Sequence, residues 1–214
     1  MAQSWTPLHA RLHQVLRSRL LLPKGHRILV AVSGGQDSLC LIRLLLDLQP
    51  KWDWDVAIAH CNHRWRTDAA ANAEYVAGLA QTWSIPYYEL TVTDEQLPEI
   101  KTEAGARTWR YQVLTETAIE QGYGAIATGH TASDRAETLL YNLMRGSGTD
   151  GLQALTWQRP FYFPPYLSQS VFEERRGTKG GASSPCVDSW GSQRYGNGGS
   201  GDRPEPRCRS ICHR

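Results

Sequence analysis

Residues 28–38 read ILVAVSGGQDS, in which five apolar residues precede a turn that contains two serines and two glycines. Leucines then recur between residues 39 and 46. The apolar run predicts a buried strand at about 28–32, and the leucines predict a helix at about 36–48 that Pro50 stops. A glycine turn at a helix start exposes unpaired backbone N–H groups, which attract anions together with the helix dipole. The stretch therefore predicts a phosphate-binding loop in an α/β fold.

The side chains of this loop favour a phosphate that is shared with a cation. Gly34 and Gly35 let a phosphate approach the backbone, and Ser33 and Ser38 add hydroxyl groups. The Asp37 carboxylate repels a phosphate unless a metal ion or a substrate proton lies between them. No lysine follows the glycines, which excludes a Walker loop. The pattern S-G-G-x-D-S resembles the pyrophosphate loop (PP-loop) of ATP pyrophosphatases; the alternative is a βα turn with solvated serines.

Composition predicts a globular domain without a membrane span. The chain has 214 residues, a formal net charge of +2 and no run of about 18 apolar residues. Residues 1–150 carry 14 Lys/Arg against 16 Asp/Glu, so a uniformly basic nucleic-acid binder is not indicated. The first 36 residues hold no acid and five Lys/Arg. A docked N-terminal helix explains their apolar spacing better than a transit peptide.

Strand and helix patterns alternate along the first two thirds of the chain. Helices are predicted at about 7–22, 36–48, 68–82, 103–121 and 132–145, and strands at about 28–32, 55–60, 87–92 and 125–128. This alternation predicts a doubly wound parallel sheet with helices on both faces. Ligands bind at the carboxyl ends of such strands, so Ser33, His60 and His130 should converge on one edge.

The end of the chain has a different character. Residues 176–201 are rich in Gly and Ser and show no hydrophobic period. We therefore expect a domain over residues 1–157 and a disordered tail over 158–214. The segment R-G-S-G-T-D-G at 145–151 follows a helix rather than a strand, which excludes a dinucleotide fingerprint and favours a glycine-rich helix exit.

The cysteines indicate a reducing compartment. Their number is odd, five, and no secretory signal precedes them, so we expect a cytoplasmic protein. Cys40 and Cys61 fall in core elements and are predicted to be buried. Zinc is disfavoured at His60, Cys61 and His63, because an extended segment need not direct them to one point. An irregular spacing also disfavours zinc at the C-terminal set. That set is Cys186, Cys208, Cys212 and His213.

Charged pairs on two predicted helices are candidate site residues. Arg107 and Arg110 share a helix face and suit a phosphate or a carboxylate, although Arg107 also stands four residues from Glu103 in ion-pair spacing. Asp134 and Glu137 share a face near a helix start. They could capture an ammonium group or Mg²⁺, or simply complement the helix dipole.

Five motifs in family order are similar to the N-terminal domain of the tRNA(Ile)-lysidine synthetase family. They are S-G-G-Q-D-S at 33–38, H-x-N-H-x-x-R at 60–66, E-A-x-x-R-x-x-R-Y at 103–111, T-G-H-T-x-x-D-x-x-E-T at 128–138 and R-G-S-G at 145–148. The first motif identifies only the superfamily, whose fold is adenine nucleotide alpha hydrolase-like. The fourth and fifth motifs together narrow the resemblance to this family.

The resemblance implies a carbon–nitrogen ligase that uses ATP and Mg²⁺. ATP adenylates the C2 oxygen of the wobble cytidine in the CAU anticodon of tRNA(Ile), and L-lysine then displaces AMP to give lysidine. The implied ATP-binding residues are Ser33, Gly34, Gly35, Gln36, Asp37, Ser38, His60, Gly129 and His130. The implied catalytic residues are Asp37, which positions Mg²⁺, Asp134 and Glu137, which hold the lysine amine, and Arg107 and Arg110, which meet the lysine carboxylate or RNA phosphates.

The resemblance ends near residue 157, and we expect a truncation or an altered reading frame beyond it. Two alternatives therefore stay open. One is another PP-loop enzyme, such as a tRNA thiolase or an amide-forming synthetase, although no C-x-x-C pair is present. The other is an inactive fragment that binds ATP or AMP. The sequence carries no signal for an oligomeric state.

Overall fold

The computed structural model describes residues 5–146 and Trp157. The helices are α1 (Pro7–Ser18), α2 (Gln36–Trp52), α3 (Ala69–Trp83), α4 (Glu103–Gln121) and α5 (Ala132–Met144). The strands are β1 (Arg27–Ala31), β2 (Asp55–Asn62), β3 (Tyr87–Thr91) and β4 (Ala125–Thr128). The predicted tail at 158–214, with its three cysteines and His213, lies outside the described residues.

The four described strands form one parallel sheet in the order β3-β2-β1-β4. The central strand β1 pairs on one side with β2, where Ile28 aligns with Val56. On its other side β1 pairs with β4, where Ile28 aligns with Ala125. Each connection crosses over the sheet through at least one helix. The predicted parallel α/β fold is confirmed.

Alternating residues of β1 face two separate apolar layers, as the period of a strand requires. Ile28 and Val30 pack in a cluster that contains buried residues of α1, α2 and α3. Leu29 packs on the opposite face with Leu114 and Ala118 of α4. Helices therefore cover both faces of the sheet, and its carboxyl edge is left to polar residues.

Two predicted helix ends are wrong. α2 continues through Pro50 and ends at Trp52, because the left-handed Asp53 (φ 56°) terminates it and the Trp52 ring stacks on Trp54 at 5.1 Å. α1 ends at Ser18 rather than near residue 22. Leu20 turns left-handed there (φ 51°), which lets the two following leucines enter the core. Packing against the rest of the chain decides both ends. The expected docked helix is present, since α1 contributes Leu12 and Leu16 to the core.

The prediction that Cys40 is buried is also wrong. Cys40 is exposed on α2, whereas the next two residues, Leu41 and Ile42, are fully buried. A helix that packs on one side turns about a third of its residues outward, and Cys40 falls on that side. Cys61 is partly buried at the end of β2, and burial raises the pKa of its thiol to about 12. No described helix is both long enough and apolar enough to cross a membrane.

Candidate active site

The phosphate loop is held open by its own hydroxyl groups. Gly34 has φ +84°, and Gly35 begins α2 without a side chain that caps the helix start. The Ser38 hydroxyl donates to the Gly35 carbonyl oxygen at 2.9 Å and accepts from the Ser33 amide at 3.2 Å. Helix-start amides without a capping partner attract an anion. The predicted strand–loop–helix unit is therefore present.

Asn72 of α3, which no sequence motif singles out, holds this loop in place by a hydrogen bond. The Asn72 side-chain amide donates to the Ser33 carbonyl oxygen at 2.9 Å. A side chain at Gly34 would be strained by the positive φ, and its Cβ atom would lie 2.2 Å from the Asn72 Oδ1 atom, so Asn72 would have to move. Asn72 is a polar residue in the alanine-rich first turn of α3, and this contrast is the local sequence signal that could have indicated its role. The loop geometry thus depends on a side chain 39 residues away.

Gly129 brings the end of β4 against the start of α2. A Cβ atom at Gly129 would lie 3.0 Å from both the backbone nitrogen and the Cα atom of Ser38. Glycine therefore permits a close backbone approach here, which a larger residue would have to widen. The next residue, His130, contacts the Thr128 hydroxyl through Nδ1 at 2.8 Å. The motif at 128–138 thereby meets the phosphate loop directly.

A cavity of about 430 Å³ lies on the side of the loop that faces α4, and we call it the α4-side cavity. Its floor is formed by the carboxyl ends of β1, β2 and β4. The structure brings together here most of the residues that the sequence singles out. They are Ser33, Gly35, Gln36, Asp37, Ser38, Arg107, Arg110, Gly129, His130, Asp134 and Glu137.

A second cavity of about 530 Å³ lies on the α3 side of the same loop, and we call it the α3-side cavity. Gly34 and His60 line this cavity and not the other. Ser33, Cys61 and His63 line both, so the two spaces adjoin along the loop and the end of β2. All three polar strand ends therefore reach the same edge of the sheet.

The charged residues that line the α4-side cavity are mostly acidic. They are Asp37, Glu103, Asp134 and Glu137 against Arg107 and Arg110. A polyphosphate entering this space is attracted by the loop amides but repelled by the surplus of carboxylates. A divalent cation would offset that repulsion. Mg²⁺ commonly takes one or two carboxylates together with phosphate oxygens, so the exposed Asp37 beside the loop fits it.

The described residues hold no cluster of three or more His, Cys, Asp or Glu side chains that could bind a metal by themselves. His60 instead donates from Nδ1 to the Val32 carbonyl oxygen at 2.7 Å and is buried. His63 faces Arg110. The hydrogen bond to Val32 supports a structural role for His60. That zinc is not bound at residues 60–63 stays a prediction.

Asp134 has a structural bond in addition to its place in the cavity. Its Oδ2 atom accepts from the Thr131 amide at 2.6 Å and from the Thr131 hydroxyl at 3.0 Å. The Thr131 hydroxyl in turn accepts from the Asp134 amide, which completes a capping box at the start of α5. The box fixes the carboxylate in place. Glu137, one helical turn further on, is exposed and lines the same cavity.

Two arginines of α4 are oriented by neutral neighbours. Arg110 Nη2 lies 3.2 Å from His63 Nε2, and burial followed by the charge of Arg110 lowers the pKa of His63 to about 4. His63 is therefore neutral near pH 7 and accepts from the guanidinium. Arg107 lies over the Tyr111 ring at 5.2 Å, and no ion pair joins it to Glu103 within the described part of the chain. Both guanidiniums line the cavity.

Comparison with solved structures identifies a protein with a similar fold. The U34-tRNA thiolase NcsA from Methanococcus maripaludis, solved with its iron–sulfur cluster, superposes with a TM-score of 0.57. The match covers 66% of this chain and 50% of the thiolase, with 16% sequence identity. At that identity the similarity concerns the fold alone.

Curated relatives share far more sequence. The tRNA(Ile)-lysidine synthase of a Nostoc species is 62% identical over 156 residues, which cover 73% of this chain and 44% of that protein. The Synechocystis enzyme is 56% identical over 73% of this chain, and the chloroplastic enzyme of Staurastrum punctulatum is 49% identical over 77%. The chain spans less than half the length of these relatives. The PP-loop domain profile matches residues 6–169, so the chain belongs to the PP-loop domain family.

Proposed function

We propose that this domain ligates lysine to C2 of the wobble cytidine in the CAU anticodon of tRNA(Ile), with ATP as co-substrate. One observation carries the proposal. The phosphate loop, two guanidiniums and two carboxylates at helix spacing line a single cavity. A ligase that activates an oxygen with ATP and then admits an amine needs these three kinds of group together. The similarity to tRNA(Ile)-lysidine synthases supports the same substrates.

The first step is adenylation of the base. The C2 oxygen of the cytidine attacks the α-phosphorus of ATP, and the bond to pyrophosphate breaks. The helix-start amides and the hydroxyls of Ser33 and Ser38 hold the departing pyrophosphate, whose negative charge grows as the bond breaks. Asp37 would hold Mg²⁺, which supplies positive charge to the phosphate oxygens. The buried strand ends that form the floor, Val32, Ala59 and Thr128, lower the local dielectric constant and so strengthen these interactions.

The second step is attack by lysine. The ε-amine of lysine attacks C2, and AMP leaves with the original C2 oxygen. Lysine is an ammonium ion near pH 7 and is not nucleophilic until it loses a proton. We assign that proton to Asp134 or Glu137, which share one face of α5. Because the capping box fixes Asp134, this carboxylate meets the amine in one orientation, whereas the exposed Glu137 can adjust.

The guanidiniums of Arg107 and Arg110 supply the positive charge on the opposite wall. Each presents a planar set of donors suited to the lysine carboxylate or to an RNA phosphate. Arg110 is held by His63, and Arg107 is held over Tyr111. A lysine bound in this cavity would have its ε-ammonium toward the acids of α5 and its carboxylate toward the arginines of α4. This polarity favours a zwitterionic amino acid as the second substrate.

The decisive experiment is mass spectrometry of a CAU-anticodon tRNA after incubation with the chain, ATP, Mg²⁺ and lysine. We expect a lysine-sized mass gain at the wobble position that is absent without lysine and absent when the wobble base is uridine. Pyrophosphate release that depends on a sulfur donor instead would favour a thiolase. ATP binding without turnover would favour an inactive fragment that binds ATP or AMP.

The proposed reaction also suggests where the protein works. Its substrates, tRNA and free lysine, are dissolved in the compartment that carries out translation. We therefore propose a cytoplasmic location, and an import assay with isolated plastids is the direct test, since some relatives are chloroplastic. Uptake and processing of the chain would contradict the cytoplasmic assignment.

A further inference from the structure

An exposed tryptophan stands at the mouth of the α3-side cavity. The connection from β2 to α3 carries Arg64, Trp65 and Arg66, and all three line this cavity. Arg64 adopts φ +58°, an uncommon conformation for a residue with a side chain. The Asn62 side chain stabilises this conformation by accepting from the Arg64 amide at 3.0 Å. The chain thus turns sharply between the buried end of β2 and the tryptophan.

The Trp65 side chain is exposed but supported. It is 52% exposed, and its ring makes a T-shaped contact with His63 at 5.6 Å. His63 makes a second T-shaped contact with Trp109, which is 5% exposed, at 4.9 Å. Through His63 the exposed ring is therefore connected to the core of the domain. A supported aromatic ring loses little freedom when a second flat group stacks on it.

Positive charges flank this ring. Arg64 pairs with Asp94 and Arg66 pairs with Asp68, but the arginine side chains are 46% and 80% exposed. Such solvated pairs contribute about 0–1 kcal/mol, so a phosphate can compete for either guanidinium. Arg110 lines the same cavity from the α4 side. An aromatic ring between exposed arginines is the arrangement that binds single-stranded nucleic acid, where bases stack and phosphates pair.

We propose that Trp65 stacks on a nucleobase of the RNA substrate that neighbours the reacting nucleotide. The inference rests on the proposed function, since it takes RNA as the substrate of the adjoining cavity. The two cavities share Ser33, Cys61 and His63, so an RNA strand that delivers one base to the α4-side cavity passes the α3-side cavity. The adenine of ATP is the other source of a nucleobase. We choose RNA because Trp65 stands at the solvent-exposed rim.

A single exposed aromatic residue is common on protein surfaces and means little alone. Tyr75 on α3 provides the comparison. It is also 52% exposed, yet it has no ring contact with another described aromatic residue and lines neither cavity. The differences at Trp65 are the constrained turn, the supporting histidine and the flanking arginines. Tyr75 is therefore a matched control position.

The test compares Trp65→Ala, Trp65→Phe and Tyr75→Ala in the full chain. Fluorescence anisotropy measures the affinity for a labelled CAU anticodon stem-loop, and titration calorimetry measures the affinity for ATP. Loss of one base stack weakens binding by roughly 5- to 150-fold. We expect that loss for Trp65→Ala, a smaller loss for Trp65→Phe, none for Tyr75→Ala, and unchanged ATP affinity for all three.

Abasic nucleotides introduced one at a time into the loop identify the stacked base. We expect one abasic position to weaken binding by the unaltered chain and to have no further effect in Trp65→Ala. Equal RNA affinity of Trp65→Ala and the unaltered chain would overturn the proposal and leave the proposed function intact. A loss confined to ATP affinity would assign the ring to adenine and also overturn it. An unaltered chain that binds no RNA would overturn both this proposal and the proposed function.

Discussion

Replacing Gly129 by alanine tests whether the close approach between β4 and α2 shapes the phosphate loop. The added Cβ atom would lie 3.0 Å from the nitrogen and the Cα atom of Ser38. A contact of 3.0 Å is tighter than Cβ atoms normally make, so the two backbones must separate by a few tenths of an ångström. The start of α2 cannot yield cheaply, because the residues that follow it, Leu41 and Ile42, are fully buried.

Two effects of different size follow from this displacement. Overpacking of this kind costs about 1–3 kcal/mol of stability, which in a chain of this length lowers Tm by roughly 3–10 °C. The same shift moves the helix-start amides relative to the phosphates they would hold. Because hydrogen bonds to phosphate depend on the position of these amides, we expect ATP affinity to fall by roughly 3- to 10-fold.

The matched control is Gly78→Ala in α3, where an added Cβ atom meets nothing within 4 Å. Alanine in place of a helical glycine there should raise stability by about 0.5–1 kcal/mol and leave ATP affinity unchanged. Scanning calorimetry measures Tm, and titration calorimetry with ATP and Mg²⁺ measures binding. If Gly129→Ala matches the unaltered chain in both Tm and ATP affinity, the close approach does not shape the loop and the reasoning is wrong.

Other substitutions separate structural from chemical roles. Asp37→Asn should make ATP affinity nearly independent of Mg²⁺, as titrations with and without the ion would show; a retained Mg²⁺ dependence would remove Asp37 from the metal site. Asp134→Asn should abolish lysine incorporation but keep ATP binding. Thr131→Ala removes the cap hydroxyl and costs about 1 kcal/mol of stability, but it keeps activity because the residue 131 backbone amide still donates to the Asp134 carboxylate. Mass spectrometry and thermal melts distinguish the two variants, and equal activity of both would contradict the assignment. Folding lowers the pKa of His63 from 6.5 to about 4 and so favours its neutral form. The free energy of unfolding should therefore be highest above pH 6.5 and should decrease as the pH falls from 6.5 to 4. Because His63 is partly exposed to solvent, we expect a decrease of roughly 1–2 kcal/mol. In His63→Gln this pH dependence should be absent. Urea unfolding at several pH values measures the free energy of unfolding, and the same pH dependence in both proteins would refute the assignment to His63.

Elements whose ends are encoded locally were predictable from the sequence. α4 spans Glu103–Gln121 as expected, because Thr102 accepts from the Gly105 amide at one end and Gly122 turns left-handed at the other. β4 also has the expected bounds. The phosphate loop was predictable for the same reason, since strand, glycines and helix follow one another without a gap. Local chemistry decides these features without help from the rest of the chain.

Features that depend on distant contacts were not predictable. Pro50 ends a helix in isolation, but the Trp52 indole donates to His13 of α1 at 3.1 Å, which favours one more turn. The bond from Asn72 joins the first turn of α3 to the loop before α2, two segments that no local pattern relates. The spacing of Asp134 and Glu137 indicated a shared face, yet it did not reveal that one carboxylate also caps α5. The first two features depend on a residue that lies elsewhere in the fold, and the third depends on a second role of the Asp134 carboxylate.

Because β4 pairs directly with β1, the nucleotide cradle cannot close during synthesis until residue 128 has left the ribosome. A nascent chain that has completed β1, β2 and β3 still lacks the Gly129 backbone that abuts α2. ATP therefore acts only on the assembled sheet, where a ligand at 100 times its Kd adds about 2.7 kcal/mol of stability. During biogenesis ATP would serve as a late-acting stabiliser that favours chains in which β1 and β4 have paired.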